Sequence, residues 1–417
     1  LSLGLDLGLA NRRTKAKIKL IRLKSKPKDR KKQNDRQEKE SREAGKGKDE
    51  CVFSIFFPNF AMNKEQSKMK ITITHKTLHF KQPAGTSRGV YTTHLSYYIR
   101  VERTLADGTT VAGTGEASVL PDLSCDAMPQ ERYEQVLSDI CLLVEKTGSI
   151  PYEMLRPYPS MLFALETAFS QMDAGGSTAL YDTPFARGEE GIPINGLVWM
   201  GTFDEMMSRL EEKLKAGYRC VKLKIGAIDW DRELALVKHI RERFSAQDVQ
   251  LRVDANGGFT PENALGRLEE LARYDIHSIE QPIKQKQWDV MAQLCKESPL
   301  PIALDEELIG VNMKIMKQAL LDTIHPQYLV LKPSLHGGMR GCREWMAMAQ
   351  EQGIGTWITS ALESNVGLNA IAHFCAQAYG PHITFPQGLG TGLLYTDNIP
   401  MPLTIRGDQL WFTKDKE

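Results

Sequence analysis

No stretch of this sequence is long and apolar enough to cross a membrane as a helix. The longest candidate, Cys51 to Ala61, has 11 residues and contains Pro58, against the roughly 20 a membrane helix needs. No two of the seven cysteines (51, 125, 141, 220, 295, 342 and 375) stand at C-x-x-C spacing. An odd, dispersed set argues against a disulfide framework and a structural zinc site, and fits a reducing cytoplasm. There is no Walker A sequence. The one tempting glycine run, Gly388-x-Gly390-x-Gly392, lacks the third-glycine spacing of a dinucleotide site and opens no clear helix. Nucleotide binding is set aside on that ground.

Large apolar residues are also nearly missing between Arg12 and Lys48, where none follows Leu23. Such a segment cannot bury enough surface to offset its ordering entropy. Residues 1 to 50 hold 17 Lys and Arg against 8 Asp and Glu, so the chain's net charge of +1 leaves the remainder at −8. A basic arm of this kind can serve a nucleic-acid binder, and deleting residues 1–61 would test that. The mildly acidic remainder gives no reason to expect nucleic acid as a partner. The sequence starts at Leu1, and both Met62 and Met69 precede the first good strand pattern. Residues 1–61 are therefore expected to be a disordered or non-native extension.

From Met69 the pattern changes. Lys70 to His75, Leu95 to Arg103 and Thr109 to Glu116 read as strands, with a turn at Ala106-Asp107-Gly108. Helical patterns follow at Met128 to Glu145 and Ser160 to Ala174, so residues 62–185 form an α+β domain. After Pro193, strand and helix alternate at least six times, beginning with Cys220 to Ile225 and Asp231 to Phe244. The later helices include Val311 to Ala319, Gly338 to Glu351 and Gly367 to Tyr379. That is the text of an α/β parallel barrel, with a doubly wound sheet as the alternative.

Each of six strands ends on a residue capable of chemistry: Lys224, Asp254, Glu280, Asp305, Lys332 and Ser360. The steps are 30, 26, 25, 27 and 28 residues, about one βα unit each. A parallel barrel gathers such strand ends on one rim, where active sites lie. Asp254, Glu280 and Asp305 place three carboxylates side by side. Two unit charges about 4 Å apart repel by on the order of 4 kcal/mol at an effective dielectric of 20. A hard divalent cation resolves this: all-oxygen ligation suits Mg²⁺, with Mn²⁺ a substitute. No Cys or His accompanies the acids, which argues against zinc.

Lys222 and Lys224 alternate with Val221, Leu223 and Ile225, so both lysines point into the barrel. A lysine inside a strand is costly unless used or paired. Two ammonium groups side by side lower each other's proton affinity, the direction a lysine base needs. Pairing with the acids is the plainer role, above all for Lys222. Lys332 reaches the mouth from the other side. A proton next to a carboxylate is too weakly acidic for an unaided amine, but a cation on that carboxylate stabilises the enolate as it forms. One lysine removes the proton; the other stabilises the charge or delivers a proton to the opposite face.

Lys222-Leu223-Lys224, Asp254-Ala255-Asn256, Glu280-Gln281-Pro282, Asp305-Glu306 and Lys332-Pro333, in that order, resemble the signature of the enolase superfamily, in its muconate lactonizing enzyme-like subgroup. The resemblance runs from about Met69 to the C-terminus. It implies a (β/α)7β barrel over residues 186–392 under an α+β capping domain. Residues 393–417 would return to the cap, notably Gln409 to Lys414. Within the subgroup the text is most similar to the o-succinylbenzoate synthase family, through Thr359-Ser360-Ala361-Leu362-Glu363-Ser364-Asn365-Val366-Gly367-Leu368 and the loop text Thr86-Ser87-Arg88-Gly89. That implies loss of water from a succinyl hydroxycyclohexadiene carboxylate in menaquinone biosynthesis. Lys224 would take the α-proton and Lys332 would stabilise the enolate.

The nearest rival is a racemase of N-acylamino acids, which needs the same metal site and both lysines; a muconate cycloisomerase has less support. Dipeptide epimerases hold the substrate ammonium with an Asp-x-Asp on the last barrel strand, and Phe385 to Gly392 contains no acid. Asn256 and Glu306 are expected to orient the ligands, and Arg88, Ser360 and Gly388 to touch substrate. The partner is thus a small-molecule carboxylate, with no membrane or nucleic acid. His75 and His79 read as surface histidines without acids nearby, and His336 carries no assignment.

Overall fold

The computed structural model describes residues 69–86, 89–226 and 229–413. The expectations for residues 1–61 and for Arg88 fall outside them. The description below concerns the unit that spans Asn63–Glu417.

The cap begins with strands β1 (Met69–Thr86), β2 (Gly89–Thr104) and β3 (Thr110–Ser118), paired antiparallel in that order. β1 and β2 run well beyond the short segments expected, as one long hairpin whose register slips between His79 and Ala84. Helices α1 (Gln130–Thr147) and α2 (Pro159–Asp173) cover one face of the sheet. Ile99 and Val101 of β2 pack with Leu137 and Val144 of α1 and with Met161 and Leu165 of α2, all essentially inaccessible. Each large aliphatic side chain buried in this way contributes roughly 1.5–3 kcal/mol. Gly113 and Gly115 permit close contact between β3 and α2. A Cβ at either would meet the backbone of Ala168 or Ala164.

The barrel follows. Its strands are β5 (Gly196–Val198), β6 (Cys220–Lys224), β7 (Gln250–Asp254), β8 (Ser278–Glu280), β9 (Ile302–Leu304), β10 (Tyr328–Leu331) and β11 (Gly355–Ile358), parallel and hydrogen-bonded in sequence order. The helices between and after them are α3 (Phe203–Lys215), α4 (Trp230–Arg243), α5 (Pro261–Ala272), α6 (Trp288–Glu297), α7 (Lys314–Ile324), α8 (Gly338–Glu351) and α9 (Asn365–Tyr379). Gln387 and Gly388 close the cylinder. Gln387 bridges Ile194 on one side and Gly388 bridges Thr359 on the other, both parallel. The result is a (β/α)7β barrel, as expected, with one βα unit more at its start than the sequence pattern revealed. That first strand has three residues, too few for periodicity to register.

Alternation along β6 sorts its side chains. Val221 and Leu223 are inaccessible and join the outer core with Leu236 and Ile240 of α4, while Lys222 and Lys224 face the interior. The C-terminal segment divides. Residues 394–397 do reach the cap, with Tyr395 bridging Phe80 and Thr396 N donating to His79 O at 2.9 Å. Gln409–Phe412 (β13) does not. It pairs with β12 (Leu403–Arg406) and with β4 (Ile192–Pro193), where the barrel starts. Leu410 and Phe412 are buried in the barrel core, which corrects the expectation for that stretch. Asp397 Oδ2 lies 3.1 Å from Nδ1 of exposed His79, and its Oδ1 accepts from the His79 backbone N–H at 2.8 Å, so that surface histidine does have an acid beside it.

Candidate active site

Strand-end geometry brings the predicted residues together on one rim. Lys224 and Asp254 are paired in register on β6 and β7, and Asp254 with Glu280 on β7 and β8. Asp305 and Lys332 follow directly on β9 and β10. With eight staves in the cylinder, the four steps from β6 to β10 place Lys224 and Lys332 on opposite walls.

The acids are buried and the lysines are paired with them. Lys222 Nζ lies 2.7 Å from Asp254 Oδ2 and 2.6 Å from Glu280 Oε2. Lys224 Nζ lies 2.8 Å from Asp254 Oδ2 and donates to Asn256 Oδ1 at 2.7 Å. Lys332 Nζ pairs with Asp305 Oδ2. Pairing was the plainer expectation for Lys222, and it extends to all three lysines. Burial alone would lower the Lys222 ammonium, but Asp254, Glu280 and Asp305 together outweigh burial and hold its pKa above the ordinary value. That reverses the expected effect of a neighbouring ammonium on Lys222. Lys332 is likewise raised: burial works against its charge, and Asp305, Glu280 and Glu306 prevail.

The acids divide by how much positive charge each faces. Burial pushes Asp254 up, yet Lys222 and Lys224 overcome it and hold the carboxyl below the usual range. Asp305 also stays low against burial, chiefly through Lys332. Glu280 is driven well up by burial and by Asp254, more than Lys222 can offset. Glu306 is raised by burial and then by Asp305. Four acids thus share three lysines, and Glu280 and Glu306 are left above the ordinary carboxylate range for want of positive charge.

A divalent cation fits that deficit. Glu280 Oε1 and Asp305 Oδ1 are buried and receive no hydrogen bond from any N–H or hydroxyl of the described residues, a costly state for carboxylate oxygens. These hard oxygen donors suit Mg²⁺ or Mn²⁺. Among the described residues no three acids, histidines or cysteines already stand in a ligating arrangement, because Lys222 Nζ is seated between Asp254 and Glu280. Binding requires the ammonium groups to withdraw.

Neighbouring residues hold this arrangement. Asn256 accepts from Lys224 and donates from Nδ2 to Glu306 Oε1 at 2.9 Å, while its backbone N–H donates to Asp254 Oδ1 at 3.0 Å. It adopts φ 43°, a left-handed conformation that Asn tolerates. Gln281, at φ 40°, is the support the sequence did not disclose. Its Oε1 accepts from the backbone N–H of Asp305 and Glu307, at 3.3 and 3.2 Å, and so fixes where Asp305 begins. The only sequence signal was its place directly after Glu280.

The rim opens on a cavity that continues to solvent. Lys222, Lys224, Lys332, Asn256 and Glu306 form its polar wall. Leu120 and Leu123 of the cap and Leu197, Trp199, Trp357 and Leu362 of the barrel form the apolar one. Ser360 and Gly388 line it as expected. Ser360 Oγ is already 2.6 Å from Thr391 Oγ1. Tyr91, Trp199 and Trp357 also line it, yet no motif marks them. His336 stands behind Lys332, its Nδ1 accepting from the Lys332 backbone N–H at 3.0 Å. Burial pushes its pKa down to about 3, so the ring is neutral. A charged wall facing an apolar one can hold a ring or chain by its body and act on a carboxylate at its edge.

Comparisons with known proteins agree with this geometry. A family model described as Enolase C-terminal domain-like matches residues 205–409. The o-succinylbenzoate synthase of Desulfotalea psychrophila is 46% identical, over 82% of this chain and 99% of that protein. The solved structure of MenC from the same organism superposes with a TM-score of 0.71 at 41% identity, covering 83% of this chain and all of that one. A substrate-liganded L-Ala-D/L-Glu epimerase from Bacillus subtilis gives a TM-score of 0.68 at 21% identity, covering 83% of this chain and 96% of that one; at that identity the likeness shows the fold alone. The chain belongs to the enolase superfamily and, within it, to the o-succinylbenzoate synthase family.

Proposed function

We propose that this enzyme dehydrates 2-succinyl-6-hydroxy-2,4-cyclohexadiene-1-carboxylate to 2-succinylbenzoate, a step of menaquinone biosynthesis, in the cytoplasm. The observation that carries the reading is 46% identity across 99% of a relative named o-succinylbenzoate synthase. Asp254, Glu280 and Asp305 would hold Mg²⁺, or Mn²⁺ in its place. A divalent cation bound there supplies Lewis-acid stabilisation of the charge that builds on the substrate carboxylate.

The chain's own residues do the rest. Lys224, as the free amine, takes the proton from the carbon next to the carboxylate. The electron pair of that C–H bond passes into the ring. The resulting Lys224 ammonium gives its proton to the departing hydroxyl on the same face, so the C–O bond breaks and water leaves. Lys332, on the opposite wall, stays charged and opposes the negative charge of the enolate. Lys222 withdraws from its seat between Asp254 and Glu280 as the cation enters, and as an ammonium beside Lys224 it favours the free amine there. Asn256 aims Lys224 and Glu306. The leucine and tryptophan wall takes the ring, while Arg88, Ser360 and Gly388 would touch the substrate.

N-acylamino acid racemisation uses the same pair of lysines, one per face, and is the reading to test against. The assay offers the hydroxycyclohexadiene acid and a panel of N-acylamino acids and compares kcat/KM. The proposal expects the cyclohexadiene acid to lead by about tenfold or more. An N-acylamino acid turned over faster would overturn it in favour of the racemase.

A further inference from the structure

Two buried glutamates of the cap reach into the barrel, and each ends at the first turn of a barrel helix. Glu116 of β3 meets α9: its Oε1 accepts from Ser364 N at 2.8 Å, and its Oε2 accepts from Ser364 Oγ at 2.5 Å and Gly367 N at 2.9 Å. Glu166 of α2 meets α8: its Oε2 accepts from Met339 N at 2.5 Å and its Oε1 from Arg340 N at 3.0 Å. First-turn amides have no partner within their own helix, and the positive end of the helix dipole favours a carboxylate. Each helix carries a glycine where the carboxylate seats. A Cβ at Gly338 would collide with Glu166 Oε2, and one at Gly367 would lie 3.0 Å from Glu116 Oε2. Burial pushes the Glu166 carboxyl up to about 7 and raises Glu116 as well. Both are therefore kept at a cost that an apolar contact would not carry.

From these two helix starts, hydrogen bonds lead to one catalytic lysine. Just before α9, the Glu363 carboxylate accepts from Ala361 N at 2.6 Å and from Ser334 Oγ. Ser334 stands two residues after Lys332. Just before α8, His336 Nδ1 accepts from Lys332 N at 3.0 Å, and Gly338 N donates to Pro333 O at 2.9 Å. The opposite wall is secured differently. The loop after Lys224 is tied by Gly226 N to Glu233 Oε1 at 2.7 Å, inside its own βα unit.

We propose that Glu116 and Glu166 are positioning residues through which the docked cap fixes Lys332 against the substrate, while Lys224 is held by the barrel alone. The proposal rests on the reading of Lys332 as a substrate-facing lysine. The bland alternative is that the two glutamates only glue cap to barrel.

The test uses the full chain with Glu116→Gln and Glu166→Gln, which keep the shape but lose one acceptor oxygen. Glu116→Asp and Glu166→Asp, which keep the charge but shorten the reach, stand in where a Gln variant fails to fold. Asp126→Asn is the control. Asp126 caps the cap's own helix α2, accepting from Ser160 N at 2.9 Å and Ser160 Oγ at 2.5 Å, with no barrel hydrogen-bond partner among the described residues. Amide hydrogen exchange in residues 331–339 and 361–367 should quicken about tenfold or more in the Gln variants. Residues 222–226 and 254–258 should keep their rates, and Asp126→Asn should leave all four segments alone. On the cyclohexadiene acid, kcat should fall about tenfold with KM changed less than about threefold. Equal quickening on both walls, the same effect from Asp126→Asn, or unchanged kcat despite faster exchange would each overturn the positioning role. A wild-type enzyme inactive on the acid would count against the functional reading, and the exchange pattern would still decide on the clamp.

Discussion

Replacing Lys332 by Met removes one ammonium group from a buried cluster and leaves its volume nearly intact. Asp305, with none of its side chain exposed, then keeps its charge without its nearest cation. Breaking a buried pair in this way costs about 3–5 kcal/mol. The lower end applies here, because Lys222 still acts on Asp305. Urea unfolding in EDTA should show that loss. Mg²⁺ should reverse much of it, since the ammonium and the cation compete for the same carboxylate. If removing the competitor tightens Mg²⁺ binding about tenfold, the variant regains about 1.4 kcal/mol more from saturating Mg²⁺ than the wild type does. Calorimetric titration gives the affinity directly, and turnover should be lost whether or not the cation is present. Equal destabilisation in EDTA and in Mg²⁺, or weaker Mg²⁺ binding by the variant, would refute the view that Lys332 and a cation share Asp305.

Two other outcomes follow from the structure. Burial pushes His94 down to about 4 from an ordinary 6.5, so the native ring stays neutral where the unfolded chain takes up a proton. The stability this supplies is full above about pH 6.5 and is lost as pH falls towards 4, about 3 kcal/mol in all. Unfolding curves between pH 7 and 4 should therefore be steeper for the wild type than for His94→Asn, and parallel curves would contradict the assignment. Gly388→Ala should cost about 1–3 kcal/mol by overpacking, because the added Cβ would fall 2.5 Å from Thr359 Cβ where the barrel closes. A melting temperature unchanged from wild type would show that the closure can relax.

Local text disclosed what local physics controls. Helix α8 begins and ends where the pattern places it, because apolar periodicity and the flanking turn residues set those limits. The spacing of Asp254, Glu280 and Asp305 was legible because a βα unit has a nearly fixed length. Long-range choices were not legible. Whether Gln409–Phe412 pairs with the cap or with Ile192–Pro193 depends on antiparallel register across more than two hundred residues, and no neighbouring residue specifies it. Gln281 supports Asp305 across a strand gap, and Trp199 and Trp357 face the cavity only because of how the barrel closes. Glu116 and Glu166 sit in apolar surroundings where a carboxylate is costly. That was a signal, but the partners, Ser364 and Met339, lie 248 and 173 residues away.

The account stands or falls on two lysines acting on one carboxylate substrate across a barrel mouth. The most direct test is turnover of 2-succinyl-6-hydroxy-2,4-cyclohexadiene-1-carboxylate by wild type, Lys224→Ala and Lys332→Ala in excess Mg²⁺, with folding checked by circular dichroism. The expected result is 2-succinylbenzoate from the wild type and a loss of about a thousandfold or more in kcat/KM, roughly 4 kcal/mol of transition-state stabilisation, in each folded variant. Product formation by Lys224→Ala within about tenfold of the wild-type rate would contradict it.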